Sequence, residues 1–415
     1  MASMDTTTTS PNDQLFAYPE DRRCPWQPSP GYQDLGERGP LHRVRLWDGH
    51  TIWMVTGHPQ ARRLLSDPRM SADRAREDFP VILPRFEADI FKPLALIGFD
   101  PPEHEAQRRL VAPAFTLKRV RALRPEVEEL AGRLADDMLR KGPPADLVRD
   151  YALPIPSTVI SRLLGVPYEE HEFFETESAG LLQAKSPAEA EAAGQALWDY
   201  LDRLLAAKQR DPGGEGLLNR LAEEANREDG LARDDLLRIA LTLLLGGHDT
   251  TSQMIALGTV TLLEHPDQLA ALRADPDILP AVVEELLRMV SVTDLSGVRV
   301  ATEDIEIDGV VIRAGEGVLV SSSMVNRDAG VFPRPYEFDA HRTARGEAAS
   351  DRQHLTFGFG IHQCVGQNLA RMELEVAFRV LFERIPGLRL SVPLDELPAR
   401  RGSTMQGVHA LPVEW

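Results

Sequence analysis

Phe357-Gly-Phe-Gly-Ile-His-Gln-Cys364-Val-Gly366 lies near the C-terminal end of a chain of 415 residues with only two cysteines. Cys364 sits between glycines just before Asn368 to Glu383, a run in which Leu369, Met372, Val376 and Val380 recur at helical spacing. A thiol at or just before a helix N-terminus feels the positive end of the dipole and unpaired backbone N–H groups, which favour the thiolate. No second Cys or His stands at metal-finger spacing, so this thiolate suits a soft ligand to the metal of one large cofactor. The glycines let backbone pass close to a flat macrocycle, and Phe357 can cover the sulfur and limit water access. A lone cysteine is more often a small buried hydrophobe. Its neighbours decide against that here.

Composition narrows the classes. Hydrophobic content of 43% and charged content of 27% are globular values. A formal net charge of -18 argues against a nucleic-acid binder, because phosphate contacts need a basic face. No stretch approaches the ~20 apolar residues needed to span a bilayer. The most apolar run, Leu236 to Gly247, is broken by Arg238 and Thr242 and ends at His248-Asp249. The first residues lack the basic and apolar regions of a signal peptide. Two cysteines far apart imply no disulfide framework and a reducing compartment. The expectation is a cytoplasmic protein that meets neither membrane nor nucleic acid.

In chain order, residues 1–30 read as an extended surface segment and 31–415 as one domain without a clean internal boundary. Val44-Arg-Leu-Trp and Thr51-Ile-Trp-Met-Val read as strands around Asp48-Gly49. Residues 73–99 mix charges, prolines and large apolar groups without a period, as functional or mobile segments do. With Phe173 to Ala184 they could form a lid over a substrate cavity. Pro101-Pro-Glu-His104 opens a helix on which His104 and Arg108 share a face. Arg109, Lys118 and Arg121 stand out as basic positions in an acidic chain. They read either as a solvated face or as an anion clamp and docking patch.

Helices then dominate. Pro125 to Leu139, Pro154 to Leu164, Glu169 to Leu182 and Pro187 to Gln209 precede one of about thirty residues, Asp234 to Glu264, which His265-Pro266 stops. Apolar residues on nearly all its faces put it through the core. Its middle, Gly246-Gly-His-Asp-Thr-Thr251, is poor helix sequence. Leu243, Gly246, Gly247, Thr250 and Met254 fall on one face, giving a small-residue groove fit for a flat cofactor. Thr250 can bond back to the Gly246 carbonyl. Asp249 lies off that face and would act through water or backbone, and His248 points away as a satisfied structural histidine.

Phe-x-x-Gly-x-x-x-Cys-x-Gly around Cys364 resembles the haem-binding loop of the cytochrome P-450 monooxygenases, and Gly-Gly-x-Asp-Thr resembles their oxygen-activation motif. The resemblance covers nearly the whole chain and is greatest to soluble actinobacterial members. It implies a mainly α fold with a small β region, a triangular helical prism with haem b between the long central helix and the Cys loop. Cys364 would be the iron ligand. Thr250 would hydrogen-bond bound dioxygen, and Asp249 would help deliver protons for O–O cleavage. His104, Arg108, Arg299, His354 and His362 would meet the propionates, with Gly246, Phe357 and Gly366 against the macrocycle. Glu285, Arg288 and Arg342 would form a structural ion network, and Asn326-Arg327-Asp328 also fits a structural role. Leu243, Gly246, Val292, Leu295, Met405 and Gln406 are the substrate contacts it suggests.

The expected activity is insertion of one oxygen atom of O2 into a C–H bond of a hydrophobic small molecule, such as a secondary metabolite, polyketide or xenobiotic. No Gly-x-Gly-x-x-Gly loop and no cysteine cluster are present, so no reductase is fused. NAD(P)H-derived electrons are expected from a separate ferredoxin and ferredoxin reductase, docking at Arg109, Lys118 and Arg121 on a monomer. A peroxide-using enzyme, an oxidative cross-linking catalyst and a non-catalytic haem sensor are the alternatives.

Overall fold

The computed structural model describes residues 15–24, 27–211, 213–214, 216–342 and 353–415. The helices, in chain order, are α1 (Pro30–Arg38), α2 (His58–Ser66), α3 (Glu103–Val111), α4 (Leu117–Lys141), α5 (Pro154–Leu164), α6 (His171–Gln183) and α7 (Pro187–Arg210). There follow α8 (Leu217–Ala225), α9 (Arg233–Glu264), α10 (Pro266–Ala274), α11 (Leu279–Val290), α12 (Ser322–Val325) and α13 (Gln367–Arg384). Pro125 does not open a helix as expected. It lies inside α4, which Thr116 precedes in extended conformation and Gly142 ends at φ +76°.

Among the described residues the β structure forms three separate sheets, one of them joining Ala145–Asp146, Arg389–Leu390 and Pro412–Glu414. β1 (Phe16–Ala17), β2 (Leu41–Arg45), β3 (Thr51–Val55) and β4 (Met70–Ser71) join two later strands, Gly297–Ala301 and Gly317–Val320, in one six-stranded sheet. The first hairpin forms as its sequence suggests, with Val44 opposite Ile52 and Gly49 at φ +88°. Ile305–Ile307 and Val310–Ile312 pair only with each other. Of the segment expected to lie extended on the surface, residues 1–14, 25 and 26 fall outside the described residues. The rest lies at the surface but is anchored: β1 runs parallel to β2, and the buried Arg22 side chain donates to the carbonyls of Val290 (2.7 Å) and Ser291 (3.0 Å).

The main core surrounds α9, against which α5, α7, α11 and α13 pack. A helix with neighbours on every side needs apolar residues on every side, and this is why α9 lacks a polar face. Residues 73–99 have no long element, only short turns at Pro84–Glu87 and Asp89–Phe91.

Candidate active site

Between Leu236 and Leu262 of α9 only Arg238, Thr242, Gly246, Gly247 and Thr250 keep appreciable exposure. Thr242, Gly246 and Thr250 are four apart and make one open stripe along a buried helix. A Cβ built on Gly246 would meet nothing within 4 Å, so this face borders empty space. The expected groove is narrower than the sequence suggested. Gly247 does not line it: its Cβ would stand 2.5 Å from Ile160 Cγ1, because α5 crosses there and needs the glycine. Thr250 donates to the Gly246 carbonyl at 2.9 Å, and His248 points away, its Nδ1 2.7 Å from the Leu244 carbonyl.

Asp249 has a partner that sequence reasoning missed. Arg400 grips it with both terminal nitrogens, at 2.7 and 2.8 Å, and both side chains are buried. Arg400 belongs to the C-terminal segment, which is fastened to α9 a second time where Val408 N donates to Gln253 Oε1 at 2.9 Å. The same segment lies beside Val292: Gln406 N donates to the Val292 carbonyl (2.7 Å), and Thr293 bridges Met405. Val292 and Leu243 are buried, Leu295 and Met405 half-buried, and the Gln406 side-chain amide is turned to the Ser403 carbonyl at 3.1 Å. A cavity of about 170 Å³ opens where residues 89–94 meet Trp198, Arg238 and Leu241.

Four predicted cations gather at one place. His104 and His362 stack with ring centroids 4.2 Å apart, and both feel the Arg299 charge. His104 is buried with neither ring nitrogen partnered, an arrangement that costs free energy unless a ligand completes it. Burial and then the Arg108 charge hold the His104 ring below its ordinary pKa. Burial followed by Arg299 takes His362 down to about 4, although its Nδ1 meets the Leu96 carbonyl at 3.0 Å. Buried Arg299 is pulled down to about 10 mainly by desolvation. Arg74 adds a further cation that the sequence did not single out; desolvation and then Arg299 lower it to about 10. Five positive or protonatable groups, with no carboxylate hydrogen-bonded to them among the described residues, form a site for an anion.

His354 is not part of this cluster. Its Nε2 is 2.9 Å from Glu284 Oε2, and Arg371 reaches the other oxygen at 2.5 Å. Burial alone would raise the Glu284 carboxyl, but the hydrogen bonds from His354 and Arg371 hold it down to about 2. Spacing could not separate His354 from His362, because which histidine faces the cluster depends on how residues 353–362 turn back. Arg371 also covers the Phe357 ring, 4.6 Å from its centroid. The predicted structural network assembles next door. Arg288 binds Glu285 with two nitrogens (2.7 and 2.8 Å), and Arg342 reaches the same carboxylate at 3.2 Å. Arg288 also donates to the Asn326 and Pro335 carbonyls, so all three charges are buried with partners.

The Cys loop closes on itself, with Cys364 N donating to the Phe357 carbonyl at 2.8 Å. Gly358 (φ +71°) and Gly360 (φ +76°) take the left-handed turns this needs, and a Cβ on Gly360 would stand 2.7 Å from the Leu65 carbonyl. The Cys364 side chain is solvent-accessible, although neighbouring groups crowd its sulfur. Burial pushes its thiol up, against the opposite pull of the Gly366 amide, Arg108 and Arg371. The helix end therefore does not secure the thiolate by itself, and a bound metal would supply the remainder. Arg109, Lys118 and Arg121 are exposed and make no ion pair among the described residues, whereas Arg124 is tied to Glu375 and Glu128.

These residues fit a flat, dianionic macrocycle. Gly246 leaves room for one face, the cation cluster would receive the carboxylates, and Cys364 offers a sulfur on a loop whose Gly366 carries no side chain.

A family model described as cytochrome P-450 matches residues 188–386. The chain is 50% identical to pentalenic acid synthase of Streptomyces avermitilis over 415 residues, the whole of both chains. It is 49% identical to vitamin D3 dihydroxylase of Streptomyces griseolus, covering 99% of this chain and 100% of the other. Among solved structures, that of GfsF, a Streptomyces halstedii protein, matches with a TM-score of 0.88 at 41% identity, covering 97% of this chain and 100% of that one.

Proposed function

The chain belongs to the cytochrome P-450 family, as a haem-dependent monooxygenase, and we propose that its substrate is a hydrophobic secondary metabolite or xenobiotic hydroxylated at a C–H bond. The open Thr242–Gly246–Thr250 stripe carries this reading, because a buried helix is left uncovered only where a ligand is to lie. When bound, haem supplies the reductive activation of dioxygen and the transfer of one oxygen atom.

The chain's own residues supply the rest. Cys364 would hold the iron; Arg108 and Arg299 would neutralise the two carboxylates, with His104 and His362 as N–H donors to them. The Thr250 hydroxyl spends its proton on the Gly246 carbonyl, which leaves its oxygen lone pairs available on the open face. Asp249 is held by Arg400 and must loosen from it to pass protons inward to Thr250. Leu243, Val292 and Leu295 form apolar walls that exclude water, with Met405 brought beside them by the bridge to Thr293.

Electrons come from outside the chain. We infer a ferredoxin and its reductase in the cytoplasm, with docking at Arg109, Lys118 and Arg121 of a monomer. Two measurements test the proposal. Cys364→Ser should abolish the red-shifted Soret band of the reduced carbonyl complex; its retention would remove Cys364 as ligand. With ferredoxin, reductase and NADH, product should carry one atom of isotopically labelled dioxygen, and NADH consumption without labelled product would count against hydroxylation.

A further inference from the structure

Arg85 is buried to 6% exposure in the irregular segment 73–99, and its nitrogens find no acceptor among the described residues. Its guanidinium lies 4.8 Å from the centre of the Phe86 ring. Phe86 stacks edge-on with Phe91 at 4.9 Å and shares an apolar cluster with Leu295. The segment thus brings a bare cation to the apolar wall on which the substrate is proposed to rest. Burying an unpaired guanidinium is among the least favourable arrangements a fold can hold.

Among the described residues no carboxylate neutralises it. Asp294, close to Tyr18, is already taken by Arg22 at 3.6 Å and by the Ser323 amide at 3.2 Å. Asp89 is paired outside with Lys92, and Glu87 is exposed. Tyr18 is the ionisable group that acts on Arg85; its own hydroxyl is buried without a partner, and burial keeps it a neutral phenol.

We propose that Arg85 anchors the carboxylate of the substrate, with the Tyr18 hydroxyl beside it, so that this monooxygenase takes apolar carboxylic acids. This rests on the reading given under Proposed function, and it adds the substrate class. The acid would lie with its charged end at Arg85 and its apolar body toward Leu295 and Gly246, presenting a remote C–H bond for oxidation.

The test uses the haem-loaded full chain and three acids of different shape (dodecanoic acid, abietic acid and indomethacin), each beside its methyl ester. At least one acid should shift the Soret band from low to high spin with a Kd ~10–100-fold below that of its ester. Arg85→Gln should erase that preference, and Arg85→Lys should retain part of it. Removing an unpaired buried charge should also leave the substrate-free Tm of Arg85→Gln equal to or above that of the parent. The proposal is overturned if no acid shifts the spectrum, if esters bind as tightly, if the preference survives in Arg85→Gln, or if that variant melts lower. The reduced carbonyl spectrum separates the two levels. Its absence in the parent chain defeats the monooxygenase reading and this one with it, whereas its presence without acid preference defeats only the anchor.

Discussion

Glu284 and Glu373 are both buried carboxyl groups, and what surrounds each decides its charge. Glu284 meets Arg371 and His354 and is held at about 2. Glu373, 1% exposed, is pushed up to about 8 by burial, against a weaker opposing hydrogen bond with Thr251. Linkage gives the two opposite signs. A depressed carboxyl contributes stability above its unfolded value, near 4.5, which is lost as pH falls toward 2. A raised carboxyl contributes its stability below 4.5 and loses it as pH climbs through about 8. At about 1.4 kcal/mol per unit of displacement, Glu284 is worth roughly 3 kcal/mol and ionising Glu373 costs roughly 5. Thermal melts of Glu373→Gln should therefore show a higher Tm than the parent at pH 8 and little difference at pH 4. An equal gain at both values would mean that Glu373 is not held protonated by burial. Glu284→Gln should melt lower than the parent at neutral pH, and the difference should shrink on acidification.

At the scale of elements, α9 is where sequence and structure agree most closely. Its apolar run with no internal proline fixes it to within a residue, because a helix buried on all sides leaves that pattern whatever packs around it. The fate of its two glycines was not legible, since it depends on α5, whose Ile160 approaches Gly247 and not Gly246. Gly246→Ala should leave the unfolding free energy of haem-free protein unchanged or raise it by up to about 1 kcal/mol through helix propensity. Gly247→Ala should lower it, as Ile160 must move. Equal effects at both positions would contradict the assignment of Gly246 to the open face. The Cys loop and the Glu285–Arg288–Arg342 set were legible through the family resemblance, since Arg342 lies far from the other two in sequence. Arg371 on Glu284 and Arg400 on Asp249 were not: their partners lie 87 and 151 residues away, and local pattern carries no information about such pairs. Arg400 holds the C-terminal segment to α9, so Arg400→Gln leaves Asp249 buried without its partner. A loss of about 3–5 kcal/mol in denaturant unfolding is expected; a loss under about 1 kcal/mol would show that the pair does not fasten the segment.

Over the whole molecule, charge is distributed against its own sign. The chain carries a formal -18, yet Arg109, Lys118 and Arg121 stand exposed and make no ion pair among the described residues, while Arg124, on the same helix as the last two, is consumed by glutamates. Arg109 is one residue beyond Arg108, whose charge reaches Cys364, which puts this basic position in the neighbourhood of the proposed iron ligand. An acidic protein of this charge repels an acidic donor at long range. Within a Debye length, about 8 Å at physiological ionic strength, a local basic group still dominates what the donor feels. Reversing Arg109, Lys118 or Arg121 to Glu should weaken docking by about 1 kcal/mol each, roughly a fivefold rise in apparent ferredoxin KM. The increase should fade at high salt, and the substrate-induced spin shift should be unaffected because none of the three reaches the cavity. Lost haem spectra would instead mean damage to α3 or α4, which circular dichroism separates from a docking effect. If all three reversals leave KM and its salt dependence unchanged, electrons enter elsewhere, and the exposed Ile361 beside the Cys loop becomes the position to alter next.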